Sequence, residues 1–152
     1  MALRPDRNEH LTDLSFFMNE TAERGIIVVH STGGSGSAMD DSNAKVIAPV
    51  TTVSGKNPAG LLLNDVVNLD LTRQQINFHK DEMQKGNKVL LLRRGWIVTD
   101  QISGTPTVGA KAYFTVAGQI SATNQDSLST QIGRFLSVKD ADGYAKVDIN
   151  IT

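Results

Sequence analysis

The stretch that decides the fold is residues 135–151, FLSVKDADGYAKVDINI, near the C-terminal end of the chain. Two apolar runs, 135–138 and 144–151, flank the turn-forming residues 139–143. In the second run apolar and polar residues alternate, which is the period of a β-strand with one buried face. The stretch therefore predicts a terminal β-hairpin, in which Ala145, Val147, Ile149 and Ile151 face a core while Tyr144, Lys146, Asp148 and Asn150 face away.

Further strand signals lie on the N-terminal side of this hairpin. Residues 26–29 form a β-branched run that is short enough for a buried strand. Residues 44–53 have a strand-like tendency, but Pro49 lacks an N–H and confines them to an edge or a bulge. Residues 67–72 and 112–117 alternate apolar with polar side chains, so each predicts a strand with one wet face.

The middle of the chain predicts two strands separated by a break. Residues 89–92 and 96–98 are the strands, and Arg93-Arg94-Gly95 is interpreted as the break. Residues 73–88 are polar with few large apolar groups, so their pattern leaves a long loop with a helical turn as an open interpretation. The Gly/Ser-rich residues 31–37 are typical of a flexible surface loop.

The N-terminal residues are the hardest to interpret. A helical stripe and a strand alternation both fit residues 11–24, and we favour an extended arm with a short strand. Many short strands with glycine-rich turns, and no sustained helical period, predict a mainly β chain. We expect a small β-sandwich or β-barrel with long loops, divided into an N-terminal arm (1–25) and a single β-rich domain (26–152).

Composition excludes several classes of function. The 152 residues are 39% hydrophobic and 20% charged, which suits one compact domain, and the net charge of -1 provides no field to attract nucleic acid or an anionic membrane. Cysteine is absent, which excludes disulfides, thiolate metal sites and cysteine nucleophiles. The apolar runs are far shorter than the about 20 residues that cross a bilayer as a helix, and no secretory signal is visible. We expect synthesis in a cytoplasm, with no nucleic acid or membrane partner.

No motif for catalysis or metal binding stands out. His10, His30 and His79 lack the short spacing of a zinc site, and the glycines near position 34 lack the helix start that a phosphate loop requires. Asp140 and Asp142 have the spacing of calcium ligands, but the later glutamate of a calcium loop is missing, so a turn held by aspartate hydrogen bonds is favoured. We therefore predict no catalytic residue, no cofactor and no metal.

Arg93, Arg94 and Trp96 form the candidate binding feature of this sequence. One pair of arginines in a chain of net charge -1 is weak support for nucleic acid binding. Arginine and tryptophan are enriched at protein interfaces, because they combine a large contact area with directed hydrogen bonds. A partner-protein contact is favoured, although an ordinary packed tryptophan is about equally plausible.

In their order along the chain, several segments resemble a family of decoration, or cement, proteins on the heads of tailed phages. Residues 60–70, GLLLNDVVNLD, look like the middle portion of such proteins from cyanophage-type viruses, whereas the Gly/Ser loop at 33–37 departs from the pattern. The four C-terminal segments that carry the resemblance are 95–99 GWIVT, 109–114 GAKAYF, 132–136 IGRFL and 142–147 DGYAKV.

The resemblance implies a structural virion protein and not an enzyme. It implies a β-rich body, commonly a trimer, that lies on the capsid exterior, bridges neighbouring major capsid protein subunits and stabilises the expanded head. The major capsid protein and further copies of the chain are the expected partners. The N-terminal arm is the candidate contact because its apolar residues lack a clear local partner in the sequence, so deleting residues 1–20 should abolish capsid binding and leave a folded body. The residues expected to contact the capsid or a neighbouring subunit are Leu11, Leu14, Phe16, Phe17, Arg93, Arg94 and Trp96.

Two alternatives stay open at this point. The first is a glycan-binding or host-attachment β module, in which Trp96, Tyr113 and Tyr144 would stack on sugar rings. Aromatic residues make up only 5% of the chain, which disfavours it. The second is an enzyme with a trimeric dUTPase-like β fold, suggested by the triplet 142–144 but lacking a glycine-rich phosphate motif near the C-terminus.

Overall fold

The computed structural model describes residues 2–30, 45–47, 52–65, 69–70, 75–76 and 81–151. These residues are mainly β, as predicted, with one short 3₁₀ helix at Gln125–Ser127. In chain order the strands are β1 (Asn8–Met18), β2 (Ala22–Glu23), β3 (Ile27–His30), β4 (Lys45–Ile47), β5 (Pro58–Asp65), β6 (Leu69–Asp70), β7 (Gln75–Ile76), β8 (Glu82–Met83), β9 (Lys88–Thr99), β10 (Ile102–Ser103), β11 (Lys111–Phe114), β12 (Ile120–Ser121), β13 (Gln131–Phe135) and β14 (Ala145–Asn150).

Ten strands form one curled sheet in the order β1-β4-β3-β5-β9-β14-β13-β11-β12-β10. β1 also pairs with β9, so that β1, β4, β3, β5 and β9 form a closed circuit of paired strands. The sheet is therefore a half-barrel, and this confirms the predicted sandwich-like or barrel-like architecture. Two small sheets, β2–β8 and β6–β7, complete the described pairings.

β9 organises this sheet. One of its edges pairs with β1, while the other pairs first with β5 and then with β14. The predicted break at Arg93-Arg94-Gly95 is wrong, because β9 continues through these residues. Gly95 lies opposite Glu9 on one side and Ile149 on the other, with φ of 142°. The glycine there permits close strand approach and does not end a strand.

The larger hydrophobic core lies on the inner face of the curled sheet. It contains two fully buried phenylalanines, Phe114 and Phe135, and the inward residues of β14. Ala145, Val147, Ile149 and Ile151 are all buried, which confirms the predicted hairpin and its alternation. The pairing of β13 with β14 begins earlier than the sequence suggested, at Gly133 opposite Ile149.

A second, smaller core lies on the opposite face of β3, β5 and β9. Val28, Leu62 and Leu91 belong to this smaller core, whereas their neighbours in sequence contribute to the larger one. These strands are thus buried on both faces, which explains why their sequences are continuous apolar runs and do not alternate. Met18 and Met83 close the smaller core.

The turn of the C-terminal hairpin is held by one aspartate. Asp140 Oδ1 accepts hydrogen bonds from the backbone N–H groups of Asp142, at 3.0 Å, and Tyr144, at 2.8 Å. Its other oxygen lies 3.2 Å from the guanidinium of Arg4, which stacks over the Tyr144 ring at 4.2 Å. This confirms the aspartate-stabilised turn and shows that N-terminal residues pack on the hairpin.

Several sequence predictions fall on residues outside the described ranges. These include the Gly/Ser loop at 31–37, Pro49 and most of the predicted strand at 67–72, of which Leu69–Asp70 is a strand. Within 73–88, the short strands β7 and β8 are described. In the described part of the chain, no helix is long and apolar enough to cross a membrane.

Residues at the start of the chain are fixed against the body by hydrogen bonds. Leu3 forms a β-bridge with Thr99, whose hydroxyl donates to the carbonyl oxygen of Ala2 at 2.9 Å. The backbone N–H of Ala2 donates to Asp81 Oδ2 at 2.9 Å, and Arg24 Nε donates to Asp81 Oδ1 at 2.7 Å. The division into an arm (1–25) and a body (26–152) stays a prediction, but residues 8–18 are a strand of the sheet and residues 2–3 are hydrogen-bonded to the body.

Asp81 makes this N-terminal attachment sensitive to acid. Burial opposes its ionisation, but the Ala2 N–H and the Arg24 guanidinium outweigh burial and hold the pKa of Asp81 below its ordinary value. A carboxyl whose pKa is lower in the folded state stabilises above about pH 4. That stabilisation is lost as pH falls through the folded-state pKa.

We expect Asp81→Asn to lower the free energy of unfolding at pH 7 by about 1–2 kcal/mol, the usual value of a charged hydrogen bond. This corresponds to a fall in Tm of about 3–6 °C, and the difference from the unmodified chain should shrink when melting curves are recorded near pH 3. Asp6→Asn, at an exposed carboxylate, is the control and should leave Tm unchanged at both pH values. A difference for Asp81→Asn that is constant with pH would contradict the assignment.

Candidate binding surface

A row of side chains crosses five strands on the solvent side of the sheet. Lys111 on β11 lies opposite Arg134 on β13, which lies opposite Asp148 on β14; Asp148 lies opposite Trp96 on β9. Asn8 on β1 ends the row opposite Trp96. On β9, β11, β13 and β14 the residues between those of the row contribute to the larger core, so this part of the sheet has an apolar inner face and a polar outer face.

We call the outer face the surface formed by Arg94, Trp96, Lys111, Arg134, Lys146 and Asp148. Within this face the indole ring of Trp96 is covered on one side, since Lys146 Nζ lies 3.6 Å from the ring centroid. Arg94 Nε donates to Asn150 Oδ1 at 3.3 Å, and Arg134 donates to the carbonyl oxygen of Gly109 at 3.4 Å. The face thus has four cationic side chains, one carboxylate and one indole.

Two leucines of β1 are exposed, and the first of them adjoins the outer face. Leu11 is 48% exposed and lies opposite Arg94, and Leu14, at 40%, lies within the register shift between Asp13 and Phe16 farther along β1. We call Leu11 and Leu14 the β1 leucines. Of the seven residues predicted to contact a partner, the structure brings Leu11, Arg94 and Trp96 together.

The two phenylalanines of β1 have partners within the chain. Phe16 packs against the smaller core, and its ring meets the His30 ring edge-on at 5.4 Å. Phe17 is half-buried, with Lys88 Nζ 5.2 Å from its ring centroid. Phe16 and Phe17 therefore have partners within the chain, whereas Leu11 and Leu14 are among the exposed large apolar residues.

Arg93 lies in a different environment from Arg94. It lines a polar cleft of about 280 Å³ that also contains His30, Asn57 and Asn150, and its guanidinium is 4.0 Å from Asp13. Burial and the Arg93 charge hold the pKa of His30 below its ordinary value, so the imidazole is neutral at pH 7. Adjacent arginines in the sequence thus serve two separate surfaces.

Sequence reasoning missed the cationic part of the outer face. Lys146 was predicted to point away from the core, but nothing in the local sequence joins it to Lys111 or Arg134, because the strand pairing is long-range.

Sequence reasoning also missed a group of exposed apolar residues on two loops, namely Val108, Leu136 and Val138. The two loops are joined by a hydrogen bond of 2.8 Å from the Gly109 N–H to the Phe135 carbonyl oxygen. Within the described ranges, no cluster of three or more potential metal ligands occurs.

Comparison with known families identifies the class of protein to which the chain belongs. The family model described as "Structural cement protein (E217 gp24/Pam3 gp6)" matches residues 8–150, from the first strand to the last. The chain belongs to the phage structural cement protein family. This is a family of structural phage proteins and not of enzymes, and it gives the cement protein a capsid-associated structural role in the virion.

A solved structure agrees with this assignment at the level of the fold. The cement protein is similar to a chain in the structure described as "The capsid of Myoviridae Phage XM1", with a TM-score of 0.58 and 12% sequence identity. The match covers 99% of this chain and 92% of that chain, so the two share the whole fold. A comparison with curated protein sequences gave no match.

Proposed function

We propose that the cement protein binds the exterior of the capsid and bridges neighbouring major capsid protein subunits. The observation that carries this proposal is the family match over residues 8–150. A protein that binds only the expanded, assembled shell stabilises that shell by mass action. Repeated weak contacts around the particle add through multivalency, so each single contact need not be strong.

The outer face and the β1 leucines are the proposed capsid contact. They combine exposed apolar side chains, arginine and tryptophan, which are the residue types enriched at protein interfaces. Bridging requires a second contact, and the exposed group of Val108, Leu136 and Val138 supplies a candidate. Self-association, with a trimer favoured by the family resemblance, is proposed as the route by which several copies present these surfaces together.

Glycan binding is disfavoured by the geometry of the aromatic residues. Sugar rings stack on open aromatic faces, but Lys146 covers one face of Trp96 and Arg4 covers one face of Tyr144. Both cations would have to move before stacking on those faces. The capsid role therefore has the stronger support.

The test of capsid binding is quantitative co-sedimentation with unexpanded and mature heads of the source phage. We expect saturable binding, at a fixed number of copies per major capsid subunit, that is stronger on mature heads. Binding to neither head form would contradict the proposal.

The double variant Leu11→Asp/Leu14→Asp is expected to reduce the affinity for heads at least tenfold, or about 1.4 kcal/mol or more, because it places charge in an apolar contact. Its Tm should stay within about 2 °C of the unmodified chain, since exposed substitutions usually change stability by less than about 0.5 kcal/mol. Leu128→Asp is the matched control, at a leucine that is 52% exposed and directly follows the 3₁₀ helix. Equal losses for both variants would remove the β1 leucines from the contact.

A further inference from the structure

The charges of the outer face are unevenly distributed. Lys111 and Arg134 lie directly opposite each other on paired strands, and like charges in that position destabilise a sheet. Arg94 and Lys146 add two cations, against the single carboxylate of Asp148. None of the four cations forms an ion pair with a carboxylate in the described part of the chain.

This concentration of positive charge contrasts with the chain as a whole. The complete sequence has 15 basic and 16 acidic residues, so the remaining surface is net negative. Several described arginines elsewhere have anionic partners: Arg4 contacts Asp140 and Asp142, and Arg24 contacts Asp81. The outer face therefore retains a cross-strand pair of like charges, and Asp148, opposite Arg134 on the next strand, is its one carboxylate.

We propose that the outer face docks on an acidic surface of the capsid, with partner carboxylates pairing with Lys111 and Arg134. This inference rests on the proposed function and adds the chemistry of the partner surface. Carboxylates from a partner would relieve the repulsion between the two cations, and arginine binds carboxylates with a two-pronged geometry. Complementary charge would also speed and orient the encounter.

The proposal predicts opposite effects of one substitution on stability and binding. Lys111→Glu changes a repulsive cross-strand pair into an attractive one, so Tm should rise by about 1–3 °C. The same variant should bind mature heads at least tenfold more weakly. Lys85→Glu, at an exposed lysine in the turn before β9, is the control and should bind within twofold of the unmodified chain.

Co-sedimentation with mature heads at 50, 150 and 500 mM NaCl gives the readout. We expect the affinity of the unmodified chain to fall at least tenfold over this range, and that of Lys111→Glu to depend less on salt. Arg134→Glu alters the same pair from the other strand and should reproduce the loss of binding. If Lys111→Glu does not fold, the Arg134→Glu result decides.

The outcomes separate this inference from the proposed function. If the unmodified chain binds heads and both variants bind equally well, the acidic docking surface is overturned while capsid binding stands. Failure of the unmodified chain to bind at any salt concentration would overturn both. A 20-base-pair DNA duplex is the second probe: DNA binding that the variants abolish, with head binding unchanged, would assign the face to nucleic acid and overturn the inference.

Discussion

Deletion of residues 1–20 is expected to unfold the cement protein. The deletion removes β1, which pairs with β9 along most of its length, and with it Leu3 and Met18, both of which are buried. Loss of each buried side chain costs about 2–5 kcal/mol, and each lost backbone hydrogen bond costs about 1 kcal/mol more. The total is comparable to the entire stability of a typical domain, about 5–15 kcal/mol.

The measurement is a thermal melt followed by far-UV and near-UV circular dichroism. The shortened chain should show no cooperative transition, whereas Leu11→Asp/Leu14→Asp, which keeps β1, should melt as the full chain does. Sequence alone predicted a folded body after this deletion, so the experiment separates the two accounts. A cooperative melt of the chain 21–152 within a few degrees of the full chain would support the sequence-based prediction that the body folds without the arm.

Substitution of Gly95 by alanine is expected to have the second-largest effect. The backbone of Gly95 has φ of 142°, and a Cβ there would overlap the carbonyl oxygen of Asn8 on β1. Alanine must therefore adopt an unfavourable conformation and also separate β1 from β9. We expect a loss of about 4 kcal/mol, which lowers Tm by about 8–16 °C.

Gly104→Ala is the matched control for this substitution. Gly104 also has positive φ, 79°, but a Cβ there meets no atom within 4 Å. It should cost about 1 kcal/mol from backbone conformation alone. If urea unfolding gives equal losses for the two variants, the close approach of β1 and β9 at Gly95 is wrong.

The C-terminal hairpin was predictable because its information is local. The alternation in 144–151 determines which face is buried, and the turn residues at 139–143 fix where the chain reverses. The mainly β class followed from similar local patterns. The family resemblance was carried by these same segments, and the family match confirms it.

The errors arose where long-range contacts decide the structure. A glycine after two arginines is a local turn signal, yet Gly95 is needed because two strands approach it from both sides. The double-sided burial of β9 likewise depends on β5 and on a second core. Such contacts are set by the fold and not by neighbouring residues.

The candidate surface was only partly predictable for the same reason. Arg94 and Trp96 lie two residues apart on one strand, so a common face could be expected. Lys111 and Arg134 become neighbours only through the pairing of β11 with β13. Arg93 was grouped with Arg94, but it faces a cleft beside Asp13 and His30.

The most direct test of bridging is a cryo-electron microscopy reconstruction of mature heads saturated with the cement protein. We expect density on the outside of the shell, in which each copy contacts at least two neighbouring major capsid subunits and the outer face meets acidic residues. Density on the inside of the shell, or copies that each contact one subunit only, would contradict the proposal.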